Sequence, residues 1–366
     1  MSSRTYLAVF FAVVTLAMLA LVAFNLAADR FILWSPNGPS FQTVSGFERV
    51  IKPAWLDSIK PDTVFVGSSG VRDGFDPRLI DPALGLHSFN YGVSGITAYE
   101  ARRFFQDAAA QPSVKTIVMA ADAFAAGTEA QTMGAGFDEL RLAVTADGAP
   151  TPRRQFWLFT TRTLSGGAVG MHALGLYMLA QLAPGQTAAD RPDIFSAYGH
   201  MTEAGYDKDV IKRNARRMWM NDWQRGQLRA ALDFVCHRNI RVILFFAPYR
   251  FAMIERFMAN DADALFAFKR GILAEAAHHN ASCQSKITLV DFLNANALTL
   301  EEMKDGKSAN YVDLVHFRPP AGLRLLRRML TPQTEPEFGV DLTALADPEA
   351  QILHLRQDVA AWKAAR

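Results

Sequence analysis

Short apolar runs alternate with helix-favouring segments through most of this chain, and this alternation limits the folds open to it. The runs lie at 63–66, 87–90, 115–121, 241–246 and 287–290. Asp76-Pro77 and Thr97 each form a typical helix start between successive runs. Strands that alternate with helices predict an α/β fold, in which a parallel sheet is sandwiched by helices.

The alternation stops for about 100 residues in the middle of the chain. We expect a long, mostly helical insertion at about 126–224, within an α/β domain spanning 61–335. Residues 164–183 are apolar enough for a second membrane span, but their glycines favour a buried or lid helix. The tail, 336–366, is predicted to carry an amphipathic surface helix from Pro348 onward.

The N-terminus has a long uncharged segment at 6–28, between Arg4 and Asp29. Its length suits one helical crossing of a bilayer, and its end has no clear cleavage pattern for a signal peptide. We therefore expect an uncleaved anchor at 1–28 in the bacterial inner membrane, with the globular domain in the periplasm or exterior. Residues 29–60 are expected to be a connector that lifts the domain off the membrane.

Charge and cysteine content restrict the function classes. The 38 Lys and Arg nearly balance the 36 Asp and Glu, so no basic field indicates a nucleic-acid partner. The densest basic run, at 212–217, is interpreted as a solvated helix face. Cys236 and Cys283 fall near the amino-terminal edge of the predicted sheet, so they form either a disulfide or two unrelated buried thiols. Their spacing does not suit a metal site.

A serine near the start of the domain, and an aspartate and a histidine near its end, are the residue types that make up an activated serine nucleophile. Ser69 follows the first predicted strand, where open α/β sheets place reactive groups. A serine needs a base to take its proton, and His316 could serve if Asp313 orients its ring. Ser68 competes with Ser69 for the nucleophile's role. Helix capping by Ser69 and a turn role for Asp313 are the structural alternatives.

Together these blocks resemble the SGNH (GDSL-like) hydrolase family. The resemblance rests on Gly-Ser-Ser at 67–69, Asn-Tyr-Gly-Val-Ser-Gly at 90–95 and Asp-Leu-Val-His at 313–316. It implies a flavodoxin-like sheet, Ser69 as nucleophile, His316 as base and Asp313 as its partner. Gly95 and Ser69 would supply the oxyanion donors, although Gly95 could serve a purely conformational purpose.

The chain departs from the family pattern at two positions. Asp122 follows the third strand where the family has an asparagine that donates to the oxyanion, and an ionised carboxylate cannot donate. Ser68 stands where the family's namesake motif has an aspartate. Both departures resemble a membrane-anchored branch, which includes proteins of teichoic acid D-alanyl transfer and alginate O-acetylation.

The expected site has a wall as well as a triad. Ser68, Asp122, Arg72, Pro248 and Tyr249 are candidates for it because they lie near predicted strand ends. Arg72 would either bind an anionic sugar or pair with a neighbouring aspartate, Asp73 or Asp76. Asp122 could equally brace the loop that follows its strand.

We expect a serine esterase or O-acyltransferase that acts on an envelope or extracellular polysaccharide and uses neither a cofactor nor a metal. The resemblance implies a multi-spanning membrane acyltransferase or the polysaccharide export machinery as partner. The alternative is a catalytically degenerate domain that binds polysaccharide or assists assembly.

Overall fold

The computed structural model describes residues 2–29, 47–125, 132–164, 169, 218–302, 308–331 and 338–366. Within them the chain forms an α/β fold around a six-stranded mixed sheet, in the order β2-β1-β3-β4-β5-β6. The strands are β1 Thr63–Gly67, β2 Ser88–Gly92, β3 Thr116–Ala120, β4 Arg241–Phe246, β5 Ile287–Asp291 and β6 Val340–Asp341. The first five run parallel, and β6 pairs antiparallel with β5. The sequence predicted all five parallel strands.

Ten α-helices accompany this sheet in the described part of the chain. They are α1 Ser3–Asp29, α2 Glu48–Ile59, α3 Ser69–Gly74, α4 Pro77–Leu84, α5 Ala98–Ala109, α6 Arg154–Leu164, α7 Asp222–Val235, α8 Phe251–Ser282, α9 Pro319–Leu330 and α10 Pro348–Ala364. Asp76 caps α4, and Thr97 caps α5 in a reciprocal box with Glu100, as the sequence predicted.

Helices cover both faces of the sheet because alternate strand residues point to opposite sides. In β1, Val64 and Val66 pack into one core, whereas Phe65 packs into the other. The first core draws on α2, α5, α7, α8 and α10, and the second on α3, α4 and α9. The strand order reverses at β1: β2 lies on one side of it, whereas β3, β4 and β5 follow on the other side. Such a reversal leaves a crevice between β1 and β3 at their carboxyl ends.

Two segments outside the predicted domain belong to it. The expected connector, 29–60, contains helix α2, in which Ile51, Trp55 and Leu56 are buried in the first core. The expected tail, 336–366, contributes β6 to the sheet before α10 buries Ile352 and Leu355. Both additions cover apolar surface that the core would otherwise expose to water.

A disulfide links Cys236 and Cys283, one of the two alternatives left open by the sequence. Each cysteine directly follows its helix, α7 or α8, and precedes β4 or β5. The bond therefore lies at the amino-terminal edge of the sheet, away from the carboxyl ends of the strands.

Most of the predicted insertion, 126–224, lies outside the described residues. The same is true of the apolar segment 164–183, apart from residues 164 and 169, and of the basic run 212–217. Of the insertion, the structure describes chiefly α6 and the turns before it.

Helix α1 is long and apolar enough to cross a membrane. Its candidate span, Ser3–Ala27, has a mean hydropathy of 2.8, and none of its most apolar window is buried within the protein. Near its end, Asn25 Nδ2 donates to the carbonyl of Thr163 in α6 over 2.8 Å. Helix α1 is therefore in contact with the folded domain.

Candidate functional site

A tight turn at the end of β1 presents two serines in the crevice between β1 and β3. Ser68 precedes α3 and Ser69 is its first residue. Gly67 makes this turn feasible, since a Cβ there would lie 2.5 Å from Cγ2 of Val71. Only glycine at this position therefore allows α3 to pack so closely over the end of β1.

Ser69, His316 and Asp313 form a continuous chain of hydrogen bonds. Ser69 Oγ lies 2.7 Å from His316 Nε2, and His316 Nδ1 lies 2.6 Å from Asp313 Oδ2. The structure thus brings together three side chains separated by up to 247 positions in the sequence. This is the arrangement of a nucleophile, a base and an orienting carboxylate.

The loop that carries His316 is held by the same carboxylate that contacts its ring. Asp313 Oδ1 accepts backbone N–H bonds from Val315 and His316, each 2.8 Å long. These bonds fix the ring's position relative to Asp313 before any substrate binds. Phe317, the next residue, packs against Phe75 in the second core and anchors the other side of the loop.

The contact between the two side chains shifts the pKa of His316 upward and the pKa of Asp313 downward. Burial lowers the pKa of His316. Its hydrogen bond to Asp313 and the negative charge of that carboxylate together raise the pKa by more, so the net pKa lies above its ordinary value of 6.5. Burial raises the pKa of Asp313, yet contact with His316 and the two backbone N–H groups brings it below its ordinary value. An ionised Asp313 would hold the Nδ1 proton and leave Nε2 free to accept from Ser69.

The segment 92–95, which begins at the last residue of β2 and is hereafter called the glycine loop, lies beside this turn because β2 pairs with β1. Gly67 and Gly92 are register partners, and Val93 N donates to the Gly67 carbonyl over 2.9 Å. A Cβ on Gly92 would lie 2.3 Å from the backbone nitrogen of Arg72, so only glycine allows this approach. Gly95 has a φ of +56°, in the left-handed region that favours glycine.

Three side chains of α2 hold the glycine loop from behind. Lys52 Nζ donates to the Gly92 carbonyl over 2.6 Å. Glu48 Oε1 accepts from Ser94 Oγ over 2.7 Å, and Arg49 Nη2 donates to the Gly95 carbonyl over 3.2 Å. The backbone of the loop is therefore fixed through a helix that the sequence had assigned to the connector.

Arg49 and Arg72 extend these contacts into a buried ionic network. Arg49 forms a two-pronged ion pair with Glu100, at 2.7 and 2.8 Å. Arg72 pairs with Asp73, one of the two partners predicted from the sequence, and also with Glu48 and Ser94. The other predicted partner, Asp76, pairs with Arg78 instead. Since Arg72 is only 5% exposed, it braces the glycine loop from within the protein.

Asp122 follows β3 in a short 3₁₀ turn and lies on the opposite side of the two serines. Its Oδ2 accepts from Ser68 Oγ at 2.8 Å and from the Tyr249 hydroxyl at 3.3 Å. Its Oδ1 is buried and has no hydrogen-bond partner among the described residues. Burial raises the pKa of Asp122, although the bonds from Ser68 and Tyr249 oppose the shift.

The contacts of Ser68 distinguish it from Ser69. Ser68 Oγ donates to a carboxylate, whereas Ser69 Oγ faces the imidazole. Pro248, also predicted for the wall, accepts from the Tyr311 hydroxyl through its carbonyl at 3.2 Å.

Sequence reasoning missed Glu48, Arg49 and Lys52. A weak signal was present, since charged and apolar residues alternate at helical spacing in 48–56, but the assignment to a connector hid it. In the described part of the chain, no group of three His, Cys, Asp or Glu side chains is placed to hold a metal ion.

No family model matches the chain, and no curated protein is significantly similar to it.

Proposed function

We propose that this protein is a membrane-anchored serine acyl-transfer enzyme of SGNH type, either an O-acyltransferase or an esterase. The observation that supports it most directly is the hydrogen-bonded chain from Ser69 through His316 to Asp313. Such a chain activates a hydroxyl that is a weak nucleophile at neutral pH.

In the proposed reaction, Ser69 Oγ attacks the carbonyl carbon of an acyl donor and its proton passes to His316 Nε2. Asp313 stabilises the resulting imidazolium. The tetrahedral intermediate collapses, and the leaving group takes the proton from His316. A sugar hydroxyl or water then attacks the acyl-serine while His316 takes its proton. When this second tetrahedral intermediate collapses, the bond to Ser69 Oγ breaks and His316 returns the proton to Ser69.

The glycine loop is the proposed source of backbone donors for the oxyanion, through the amide of Gly95 together with that of Ser69. Preorganised donors are effective because they need not reorient when charge develops. The contacts from Lys52, Glu48 and Arg49 support this role, since they restrain the loop before the reaction begins.

An envelope or extracellular polysaccharide is the proposed acceptor or substrate. Helix α1 would hold the enzyme at the inner membrane, and the disulfide suits an oxidising exterior compartment. The resemblance to the membrane-anchored branch adds a multi-spanning acyltransferase or export machinery as the proposed partner.

A second candidate is a catalytically degenerate domain that binds polysaccharide or assists its assembly. One observation favours it: the carboxylate of Asp122 accepts from Ser68, next to the candidate nucleophile, and a negative charge there would oppose an oxyanion. By the resemblance, the family has an amide donor at this position. The two candidates differ in whether Ser69 is chemically reactive.

The deciding experiment treats the full chain in detergent with a fluorophosphonate serine probe and measures intact mass. The acyl-transfer proposal expects one adduct, lost in Ser69→Ala and in His316→Gln but retained in Ser68→Ala, the matched control. No adduct on a folded protein would contradict the triad mechanism and favour the degenerate domain.

A further inference from the structure

Helix α6 carries two exposed aromatic side chains at the point where the domain meets the anchor helix. Phe156 is 54% exposed and Phe159 is 50% exposed. They are three residues apart, so they lie on the same side of the helix. Large apolar side chains paired in this way on a surface indicate a contact with a partner or a lipid.

The contact with α1 places the carboxyl end of α6 at the level where the candidate span ends. Thr163, in the last turn of α6, accepts from Asn25 of α1. Asn25 is only two residues from the end of the candidate span, Ser3–Ala27. At 1.5 Å per residue this is about 3 Å along the helix axis, so α6 contacts α1 where the chain would leave the hydrocarbon.

The aromatic pair is continuous with that contact. Thr163 lies four residues after Phe159 and seven after Phe156, so all three share one side of α6. Thr163 is fully buried, whereas the two phenylalanines beyond it are exposed. Helix α1 therefore covers this side of α6 near its carboxyl end, whereas the same side is exposed to solvent in the preceding turns.

Sequence composition favours a lipid over a protein as the occupant of that open end. The 20 residues 164–183, which begin at the end of α6, contain no Asp, Glu, Lys or Arg. A helix that touches a membrane span at its carboxyl end and continues into an uncharged sequence is suited to the boundary between headgroups and acyl chains.

We propose that α6 is an interfacial helix, and that Phe156 and Phe159 insert into the surface of the bilayer on the side where α1 emerges. This goes beyond the proposed enzymatic activity and depends only on α1 crossing the membrane. It reverses the expectation that the domain is lifted off the membrane.

The whole domain would be held against the bilayer surface together with α6, since polar contacts join α6 to the rest of the domain. Arg154, in its first turn, forms an ion pair with Asp57 of α2 and donates to the Pro53 carbonyl over 3.2 Å. Arg154 Nε also donates to the Arg141 carbonyl over 2.7 Å. Helix α2 in turn holds the glycine loop, so the candidate site has a fixed orientation relative to the lipid surface.

The test is site-directed spin labelling of the full chain in phosphatidylcholine nanodiscs. Both native cysteines are in the disulfide, so Phe156→Cys and Phe159→Cys can each be labelled singly. Electron paramagnetic resonance then compares collision rates with oxygen, which enters lipid, and with a water-soluble nickel complex. Leu16→Cys in α1 is the lipid reference, and Leu353→Cys, 37% exposed in α10, is the aqueous reference.

The proposal expects oxygen to be favoured at positions 156 and 159, as at 16, while the nickel complex is favoured at 353. Nickel access at 156 and 159 with a lipid signal at 16 would overturn the interfacial seating and leave the anchor intact. Shielding of 156 and 159 from both reagents would overturn it in favour of a protein contact. A water signal at 16 would overturn the span itself, and with it this proposal.

Discussion

Lys52 Nζ donates a 2.6 Å hydrogen bond to the carbonyl of Gly92, although the lysine side chain is completely buried. This bond joins α2, the helix after α1, to the loop beside Ser69. A buried amino group is costly without hydrogen-bond partners, and the Gly92 carbonyl provides one, so the bond ties the glycine loop to α2.

Weakening the grip of α2 on this loop should slow the reaction of Ser69. In Arg49→Lys, the two-pronged pair with Glu100 cannot form, and the bond to the Gly95 carbonyl is lost. We expect fluorophosphonate labelling of Ser69 to slow on the order of tenfold. The pH midpoint of labelling should stay unchanged, because Arg49 contacts Glu100 and the Gly95 carbonyl rather than the His316 ring.

The matched control is Arg78→Lys, which breaks a similar pair with Asp76 on α4. Labelling should proceed there at the wild-type rate. Equal rates in both variants and the wild type would show that α2 does not position the loop.

Lys52 should make stability depend on pH. Burial lowers the pKa of Lys52 from 10.5 to about 7, although Glu48 and Asp73 oppose the shift. Between these values the unfolded chain binds one more proton than the folded chain, so rising pH favours the folded state. We expect the free energy of unfolding of the wild type, relative to Lys52→Met, to rise by up to about 1.4 kcal/mol per pH unit. Urea unfolding at pH 7, 8 and 9 would measure it, and a constant difference would contradict it.

The pH dependence of Ser69 labelling should follow the ionisation of His316. Only the neutral imidazole accepts the serine proton, so the rate should rise with pH, with a midpoint above 6.5. Asp313→Asn removes the charge that raises the pKa, and it also disturbs the tautomer. We expect its midpoint to move down and its rate to fall on the order of 10³–10⁴-fold. A midpoint insensitive to Asp313 would remove His316 from the role of base.

Asp122→Asn should accelerate labelling rather than slow it. The change replaces an acceptor with a side chain that can donate to an oxyanion, while its amide oxygen can still accept from Ser68. We expect a gain on the order of tenfold above pH 7, since one oxyanion donor is often worth more than that. Asp122→Ala removes the charge without adding a donor and should gain less. If both variants are slower, the carboxylate itself serves the reaction.

The sequence predicted the five parallel strands because each is an apolar run bounded by turn residues. It also selected Ser69, Asp313 and His316 together, since a serine at the carboxyl end of a strand needs a histidine base and an orienting carboxylate, and the three blocks match the motifs of the family that the chain resembles. Their hydrogen bonds are now described, whereas their catalytic roles stay predictions. Strand β6 was missed because two residues carry no periodicity, and its pairing with β5 depends on the tertiary fold.

Helix α2 was missed for a different reason. Glu48, Arg49 and Lys52 give the segment a polar composition, and charged residues are rarely buried. Their burial depends on partners in other segments, namely Glu100 and the glycine loop. Such compensation is invisible in a local pattern, so the charged helix was taken for a connector.

The disulfide should stabilise the domain without affecting the site. Cys236 and Cys283 are 47 positions apart. Closing a loop of that length lowers the conformational entropy of the unfolded chain and so raises its free energy by about 4 kcal/mol at 25 °C. We expect the paired variant Cys236→Ser with Cys283→Ser to lose up to this amount in urea unfolding. Reductant should lower the stability of the wild type similarly and leave the paired variant unchanged.

Under native conditions Ser69 labelling should persist in the paired variant, because the disulfide lies at the amino-terminal edge of the sheet and the serines lie at the carboxyl edge. Unchanged stability in the paired variant would mean that the disulfide does not contribute to the fold.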